Sequence, residues 1–528
     1  MNHSPLPPSP NPCSCCSARR AQGQGPEGFS RREFLVSAGA VAAGGLVWSA
    51  MAAETARDLA RASRPAPKRQ PLRMQPVLVY EIPKRRSQTS WRNWGAIQTE
   101  EQAGEEKRRI EGELKKLSES ADFPLNLLPL AAIKTPEEAA KLAQGDHDGV
   151  ILYAAGGGLN TLEALTDPKK WNLMFLRHRS GPVYLWYEIA HNRYLRKTVD
   201  DFGQPGMDVL DVVVDDPGEL LWRLRAIAGL KNTLGKPVVA IGGAGGWGDG
   251  GRTAPQRTEE LWKMKLIDYP YARLGERIQQ ARQNERLARR CEQAAADYLA
   301  QTGVSLATDR GFVQRAFVLA EVFKDVMDEY QTDAMTINAC MGTIMPMSET
   351  TACLPLSLLN DEGYLAFCES DFVVIPSGIL LHYLSGKPVF LNDPTYPYKN
   401  LVTLAHCTAP RKLDGKHFEP AKILTHFESD YGAAPKVEMK IGQEVTNLVP
   451  DFASKKWVGF LGTIVANPFL DICRSQIDVN IHGDTEQLLR EMKGFHWMLS
   501  YGNYLRETGY ALKKVGVDWV DLSGQKMT

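Results

Sequence analysis

The sequence predicts an α/β protein in which two successive Rossmann-like parallel-sheet units precede a C-terminal antiparallel β domain, either a barrel or a sandwich. Between residues 75 and 388, short apolar strands alternate with helices, the order typical of open parallel sheets covered by helices. After residue 388, short strands separated by turn residues follow one another without long helices, as in antiparallel β structure. We therefore expect domains at 75–214, 215–388 and 389–528.

The individual elements follow from local periodicity and from turn residues. Apolar runs predict strands of the α/β units at 76–82, 148–155, 181–190, 236–243 and 333–340. Polar or amphipathic segments predict helices at 99–120, 215–232, 272–300 and 311–330. The β domain has predicted strands at 421–429, 436–449, 457–468 and 475–483. The tail predicts a helix at 484–493, a strand at 496–502, a helix at 504–515 and a strand at 517–522.

The N-terminus resembles a twin-arginine export signal. In "FSRREFLVSAGAVAAGGLVWSAMAAE", Arg31 and Arg32 precede a weakly apolar segment and a small-residue cleavage site at 50–52. The alternative is an uncleaved membrane helix, but the apolar run is short and glycine-rich against the ~20 residues that a span needs. We expect a signal peptide at 1–53, followed by a Pro/Arg/Ala-rich linker at 54–74. The protein would then be exported through the twin-arginine translocase to a periplasmic or otherwise exported location, without a stable membrane anchor.

Net charge and cysteine positions exclude several classes of function. The chain of 528 residues has 62 basic and 62 acidic side chains, so it offers no net charge for nucleic acid. Of its nine cysteines, six lie after the signal at scattered positions without a CxxC spacing. Neither a zinc ribbon nor a dense disulfide scaffold is indicated.

One stretch carries a carboxylate at each end. "CESDFVVIPSGILLHYLSGKPVFLND" reads as strand, helix and strand, with Glu369 after the first strand and Asp393 at the end of the second. A right-handed crossover would make the two strands parallel, so both acids would lie at the carboxyl edge of one sheet, where ligands of open α/β sheets bind. The alternative is that both are helix caps or turn residues.

Two carboxylates that lie close together favour a divalent cation, since otherwise one of them takes up a proton. Carboxylate ligands favour hard ions such as Mn²⁺ or Mg²⁺ over zinc. A histidine would complete the site, and His406, His482 and His496 all lie in the C-terminal part of the chain.

Four segments resemble the L-fucose isomerase-like group, which is related to the L-arabinose isomerases. They are "ACLPLSLLNDEGYLAFCESD", "LLHYLSGKPVFLND", "LAHC" and "FHWMLSYGNYLRETGYALKKVGVDWVDL". The resemblance implies that Glu369, Asp393 and His496 bind one Mn²⁺ or another hard divalent cation, and that Glu369 and Asp393 are the catalytic acid and base. It implies isomerisation of an aldose to a ketose through a cis-enediol, and a homo-oligomer, a trimer or a hexamer.

The function predicted from the sequence is therefore an exported, metal-dependent monosaccharide isomerase. Two alternatives stay open: a periplasmic sugar-binding or scaffold protein without turnover, and a metal-dependent sugar lyase or epimerase that uses the same enediolate chemistry. A pure binding protein has no need of three metal ligands, which favours an enzyme.

The remaining motifs are a glycine-rich segment, two histidines and two tryptophans, for which the sequence favours supporting or structural roles. "GAGGWG" at 243–248 satisfies G-x-G-x-x-G but is followed by a loop-like segment, so a flexible loop beside a substrate cleft is favoured over a nucleotide site. We expect His406 to be a core histidine or a support for the ligands, and His482 to be the second choice as third ligand. Trp247 is a candidate for stacking on a sugar, and Trp497 is expected in the core.

Overall fold

The computed structural model describes residues 67–93, 95–156, 158–184, 194–195 and 203–525. The predicted signal peptide, most of the linker and most of the strand predicted at 181–190 lie outside the described residues. No helix among the described residues is long and apolar enough to cross a membrane.

The first unit is a six-stranded parallel sheet in the order β2-β1-β4-β5-β6, with β3 also paired to β1. Its strands are β1 (Leu72–Val79), β2 (Leu125–Leu127), β3 (Ala131–Ile133), β4 (Gly149–Ala154), β5 (Trp171–Leu176) and β6 (Val212–Val214). Its helices are α1 (Glu100–Ser120), α2 (Pro136–Ala143) and α3 (Leu159–Leu165). The helices α1 and α2 begin at capping boxes on Thr99 and Thr135. In each box the threonine hydroxyl accepts the backbone N–H of the third helical residue, and the side chain of that residue accepts the backbone N–H of the threonine.

The second unit is a four-stranded parallel sheet in the order β11-β10-β7-β8. Its strands are β7 (Pro237–Ile241), β8 (Lys265–Tyr269), β10 (Ala334–Ile337) and β11 (Leu365–Phe367). The helices around it are α4 (Gly218–Thr233), α5 (Ala254–Trp262), α6 (Tyr271–Gln283), α7 (Glu285–Leu299), α8 (Arg310–Glu329), α9 (Met345–Ser348), α10 (Cys353–Asp361) and α11 (Ile375–Ser385).

The C-terminal β domain is a barrel, so the sandwich is excluded. Six antiparallel strands pair in the order β16-β19-β12-β13-β18-β17, and β17 closes the ring by pairing with β16. They are β12 (Phe390–Pro394), β13 (Leu401–His406), β16 (Glu444–Pro450), β17 (Lys456–Ala466), β18 (Ser475–His482) and β19 (Trp497–Tyr501). Closure removes the exposed strand edges that an open sheet would leave. The predicted α/β class with two parallel-sheet units and an antiparallel β domain is confirmed.

A small sheet, two helices and one further strand complete the domain. In the small sheet, β14 (Ala421–His426) is antiparallel to β15 (Tyr431–Val437) and parallel to β9 (Val304–Leu306), which belongs to the second unit in sequence. The tail contains α12 (Thr485–Arg490), α13 (Leu505–Lys514) and β20 (Asp518–Asp521), which pairs in parallel with β17.

The predicted crossover between Cys368 and Asp393 is wrong. The strand β11 belongs to the second parallel sheet, whereas β12 belongs to the barrel and is antiparallel to both of its neighbours. The helix α11 between them is buried along nearly its whole length. Local sequence gave strand, helix and strand correctly, but the helix connects two domains because β12 finds its partners in strands that come later in the chain.

Three boundaries also differ from the prediction. The strand predicted at 436–449 is divided between β15, which ends at Val437, and β16, which begins at Glu444. The helix predicted at 272–300 is two helices, because Asn284 leaves the helical conformation and its side chain accepts the N–H of Leu287 as the cap of α7. The predicted linker 54–74 ends too late, since β1 begins at Leu72 and both Leu72 and Met74 are fully buried against β2. The basic residues around Leu72 and Met74 hide the alternation of apolar and polar residues that would predict a strand there.

Candidate metal centre

The pairing of β12 with β13 and β19 brings three candidate ligands to one end of adjacent strands. Asp393 pairs with Ala405 across β12 and β13, and Asn392 pairs with Trp497 across β12 and β19. His406 ends β13, and His496 directly precedes β19. Asp393, His406 and His496 each offer one ligand atom, and these three atoms lie within 4.8 Å of one another.

Glu369 reaches the same place from the second sheet. It lies in the turn after β11, where Glu369 has φ +66° and Ser370 has φ +46°. Such left-handed conformations cost about 1–3 kcal/mol each in residues other than glycine and persist only where the surroundings fix them. Here the N–H of Ser370 donates to Thr336 Oγ1 at 3.1 Å, and the N–H of Gly245 donates to the carbonyl of Ser370 at 3.2 Å.

The three residues predicted as ligands converge on one imidazole nitrogen. His496 Nε2 lies 3.3 Å from Glu369 Oε2 and 3.3 Å from Asp393 Oδ1. His496 is fully buried, and the carboxylates of Glu369 and Asp393 are 19% and 24% exposed, so solvent reaches the two carboxylates but not the imidazole. The structure thus brings Glu369, Asp393 and His496 together, although Glu369 and Asp393 come from different sheets.

The residues present fit a divalent cation. Asp393 Oδ1 and His496 Nε2 are buried and have no hydrogen-bond partner among the described residues. Two buried polar atoms without partners cost free energy unless something lies between them. A nitrogen ligand and several carboxylate oxygens from Glu369 and Asp393 are a donor set for Mn²⁺ or a similar hard ion.

Asp371 determines which nitrogen of His496 is available. Its Oδ2 lies 2.8 Å from His496 Nδ1, and both side chains are fully buried. Because a carboxylate only accepts, Nδ1 carries a proton, and Nε2 is the nitrogen that faces Glu369 and Asp393 and can offer its lone pair to a cation. The sequence gives Asp371 no role, since only the fold shows that it meets His496.

The charges of the site are strongly coupled. Burial alone would raise the pKa of Glu369, but the neighbouring His496 and His406 hold that pKa well below its usual range. Burial raises the pKa of Asp393 to about 6, although His496 opposes the shift. The pKa of His496 is raised despite burial, because Glu369 and Asp393 surround it. A proton therefore competes with any cation for these ligands.

His406 is closer to the centre than the sequence suggested. Its Nε2 lies 3.6 Å from Glu369 Oε1, and its Nδ1 lies 2.9 Å from Thr408 Oγ1. It is a candidate fourth ligand as well as the supporting histidine that was predicted. His482, the second choice from sequence, is outside the group, because its Nε2 pairs with Thr463 Oγ1 at 2.9 Å on the neighbouring strand β17.

The loop "GAGGWG" forms one wall of the site. Trp247 Nε1 donates to Glu369 Oε2 at 2.8 Å, and the indole stacks on Phe495 with the ring centroids 4.5 Å apart. One face of Trp247 is therefore occupied by Phe495 rather than open to a ligand. Trp497 is buried in the barrel, as predicted, and packs edge-on against Phe460.

A cavity of about 450 Å³ opens onto Glu369 and His406. Its wall combines the loop at 245–248, the segment at 338–342 and several polar groups, including Thr408, His426 and Glu428. Pockets of about 300–1,000 Å³ suit small molecules. A small polar ligand in this cavity would lie against Glu369 and His406, two residues of the candidate metal centre.

Comparisons with known proteins leave the family open. A scan against protein-family models matches no family, and a search of curated proteins finds no significant relative. The resemblance to the L-fucose isomerase-like group therefore stays a prediction.

Proposed function

We propose that this protein is a metal-dependent aldose–ketose isomerase that acts on a monosaccharide. The observation that carries the proposal is the pair of buried atoms Asp393 Oδ1 and His496 Nε2, 3.3 Å apart and without hydrogen-bond partners, with Glu369 Oε2 at 3.3 Å from the same nitrogen. The motifs that resemble the L-fucose isomerase-like group support the same reading.

In this proposal Glu369, Asp393 and His496 hold Mn²⁺ or another hard divalent cation, with His406 beside them. When bound, the ion supplies polarisation of the substrate carbonyl. One of the two carboxylates removes the proton from the carbon next to the carbonyl, and the other returns a proton to the neighbouring carbon. Trp247 and Asp371 act on these groups by fixing Glu369 and His496 in place.

The proposal includes export and assembly. The twin arginines Arg31 and Arg32 would direct the folded, metal-loaded chain through the twin-arginine translocase to the periplasm. By the same resemblance we expect a homo-oligomer, a trimer or a hexamer, which light scattering on the purified protein would measure.

The decisive experiment combines metal analysis with an aldose screen. The purified protein is stripped with a chelator, reloaded with Mn²⁺ and incubated with a panel of aldoses, and ketose formation is followed by NMR. Ketose that appears only after reloading, and not with Glu369→Gln, supports the isomerase. Sugar binding without turnover would instead favour the binding protein, and a product of altered mass or inverted stereochemistry would favour the lyase or the epimerase.

A further inference from the structure

Cysteines form a large part of the cavity wall. The described residues contain six cysteines, all present as thiols. Five of them line the cavity, namely Cys340, Cys353, Cys368, Cys407 and Cys473. The sixth, Cys291, lies on α7 and packs in the core of the second unit. Sequence spacing gave no sign of this group, because its members come from separate segments that only the fold brings together.

Two of these thiols belong to one small apolar cluster. Cys353 opens helix α10, and Cys407 directly follows strand β13. Both side chains pack with Ala434 in this cluster, with Cys473 at its edge. The sulfur of Cys407 also accepts the backbone N–H of Arg474 at 3.4 Å.

We propose that Cys353 and Cys407 are a site of reversible thiol oxidation, closed to a disulfide by a low-molecular-weight disulfide that enters the cavity. Both side chains are at most 5% exposed overall, so the cavity is their route to solvent. Cys291 lies outside the cavity and lacks such a route among the described residues, whereas Cys340, Cys368 and Cys473 share it. Packing in one small cluster is what distinguishes Cys353 and Cys407 from those three.

The chemistry is two thiol–disulfide exchanges. The Cys407 sulfur, which accepts an N–H and is therefore the better placed nucleophile, attacks one sulfur of the oxidant and releases its other half as a thiol. The Cys353 sulfur then attacks Cys407 in the mixed disulfide and releases the second half. Two protein thiols lose two protons and two electrons, and the disulfide bond of the oxidant becomes two thiols.

A link at this position would fix the end of β13. Cys407 follows His406, so the bond would join the strand that carries a candidate ligand to the start of α10. The oxidation itself needs neither metal nor sugar, and it does not rest on the proposed isomerase activity.

The test uses bis(2-hydroxyethyl) disulfide as the oxidant on the purified full chain. After remaining thiols are blocked, cleavage at lysine, arginine and glutamate isolates Cys353 in 350–362 and Cys407 in 400–411, each as the single cysteine of its peptide. We expect the two peptides to be recovered as one linked species by mass spectrometry, with loss of both thiols, and to separate after reduction.

Variants make the outcome specific. Cys291→Ser and Cys473→Ser should leave the linked species at the wild-type level, whereas Cys353→Ser should abolish it and leave the mixed disulfide on Cys407. The wild-type measurement decides the matter even if one variant fails to fold. Recovery of both peptides unlinked after treatment, or a link from Cys407 to the peptide of Cys473 instead, would overturn the proposal.

Discussion

Asp393 Oδ1 and His496 Nε2 lie 3.3 Å apart across the end of the barrel, and neither atom has a hydrogen-bond partner among the described residues. Buried polar atoms usually do have partners. A cation between them would satisfy both atoms and also the adjacent Glu369 oxygen. The predictions about the metal centre follow from this relationship.

Removing the ion should destabilise the wild-type protein. A ligand that binds only the folded state adds about 2.7 kcal/mol at a free concentration of 100 times its Kd. Chelation should therefore lower the melting temperature of manganese-loaded wild type by several degrees in differential scanning calorimetry. The double variant Glu369→Gln, Asp393→Asn should melt at the same temperature with and without chelator, and an equal drop in both proteins would contradict the assignment.

Asp371→Asn should weaken the metal without removing a ligand. The amide no longer forces the proton onto His496 Nδ1, and changes of this kind cost about 10–100-fold in metal affinity. Isothermal titration with Mn²⁺ measures the effect. Asp478→Asn is a matched control, because Asp478 accepts from Thr403 Oγ1 within the barrel at 2.6 Å. Equal affinities for the two variants would show that Asp371 does not position His496.

The two histidines outside the predicted set should behave differently. His406→Ala should lower the affinity for Mn²⁺ at least about 10-fold, since it removes an imidazole within reach of Glu369 and Asp393. His482→Ala should bind Mn²⁺ like wild type, because His482 faces Thr463 instead. Metal content after gel filtration separates the cases, and loss of metal in His482→Ala would refute the geometry.

Asp361, at the end of α10, should make stability depend on pH. Burial raises its pKa to about 7, although the N–H groups of Arg411 and Lys412 donate to Oδ1. Because the folded state holds this proton more tightly than the unfolded state, the contribution is full below about pH 4 and is lost as pH rises through about 7. Its size is on the order of 2–4 kcal/mol.

Urea unfolding at pH 5 and pH 8 measures this contribution. Asp361→Asn keeps the accepting oxygen and removes the titration, so its free energy of unfolding should fall less between the two pH values than that of wild type. A variant as pH-dependent as wild type would assign the effect to other groups.

Export should require the arginine pair. With both Arg31 and Arg32 changed to lysine, we expect folded, uncleaved precursor in the cytoplasm, because the twin-arginine pathway reads that pair as its address. Cell fractionation and the mass of the product measure this outcome. Normal accumulation in the periplasm would rule out the twin-arginine interpretation, whereas the same substitution at Arg19 and Arg20 should have no effect.

Much of the architecture could be predicted because it is local. Period-two and helical patterns, with proline and glycine at the ends of elements, predicted the two parallel-sheet units and the antiparallel strands. Glu369, Asp393 and His496 could be selected because two carboxylates and a histidine are a suitable ligand set for one divalent cation, and because their motifs resemble a known family. Each of these signals lies within about thirty residues of sequence.

The tertiary structure alone decided how these pieces meet. No local signal predicts that β12 leaves the sheet of β11 and pairs with β13 and β19. The choice of partner depends on strands more than a hundred residues away and on closure of the barrel. That choice sets Asp393 opposite His496, brings Asp371 onto the far nitrogen and moves His406 beside Glu369. It also gathers five scattered cysteines around one cavity, since proximity in a fold is set by packing over the whole chain rather than by spacing along it.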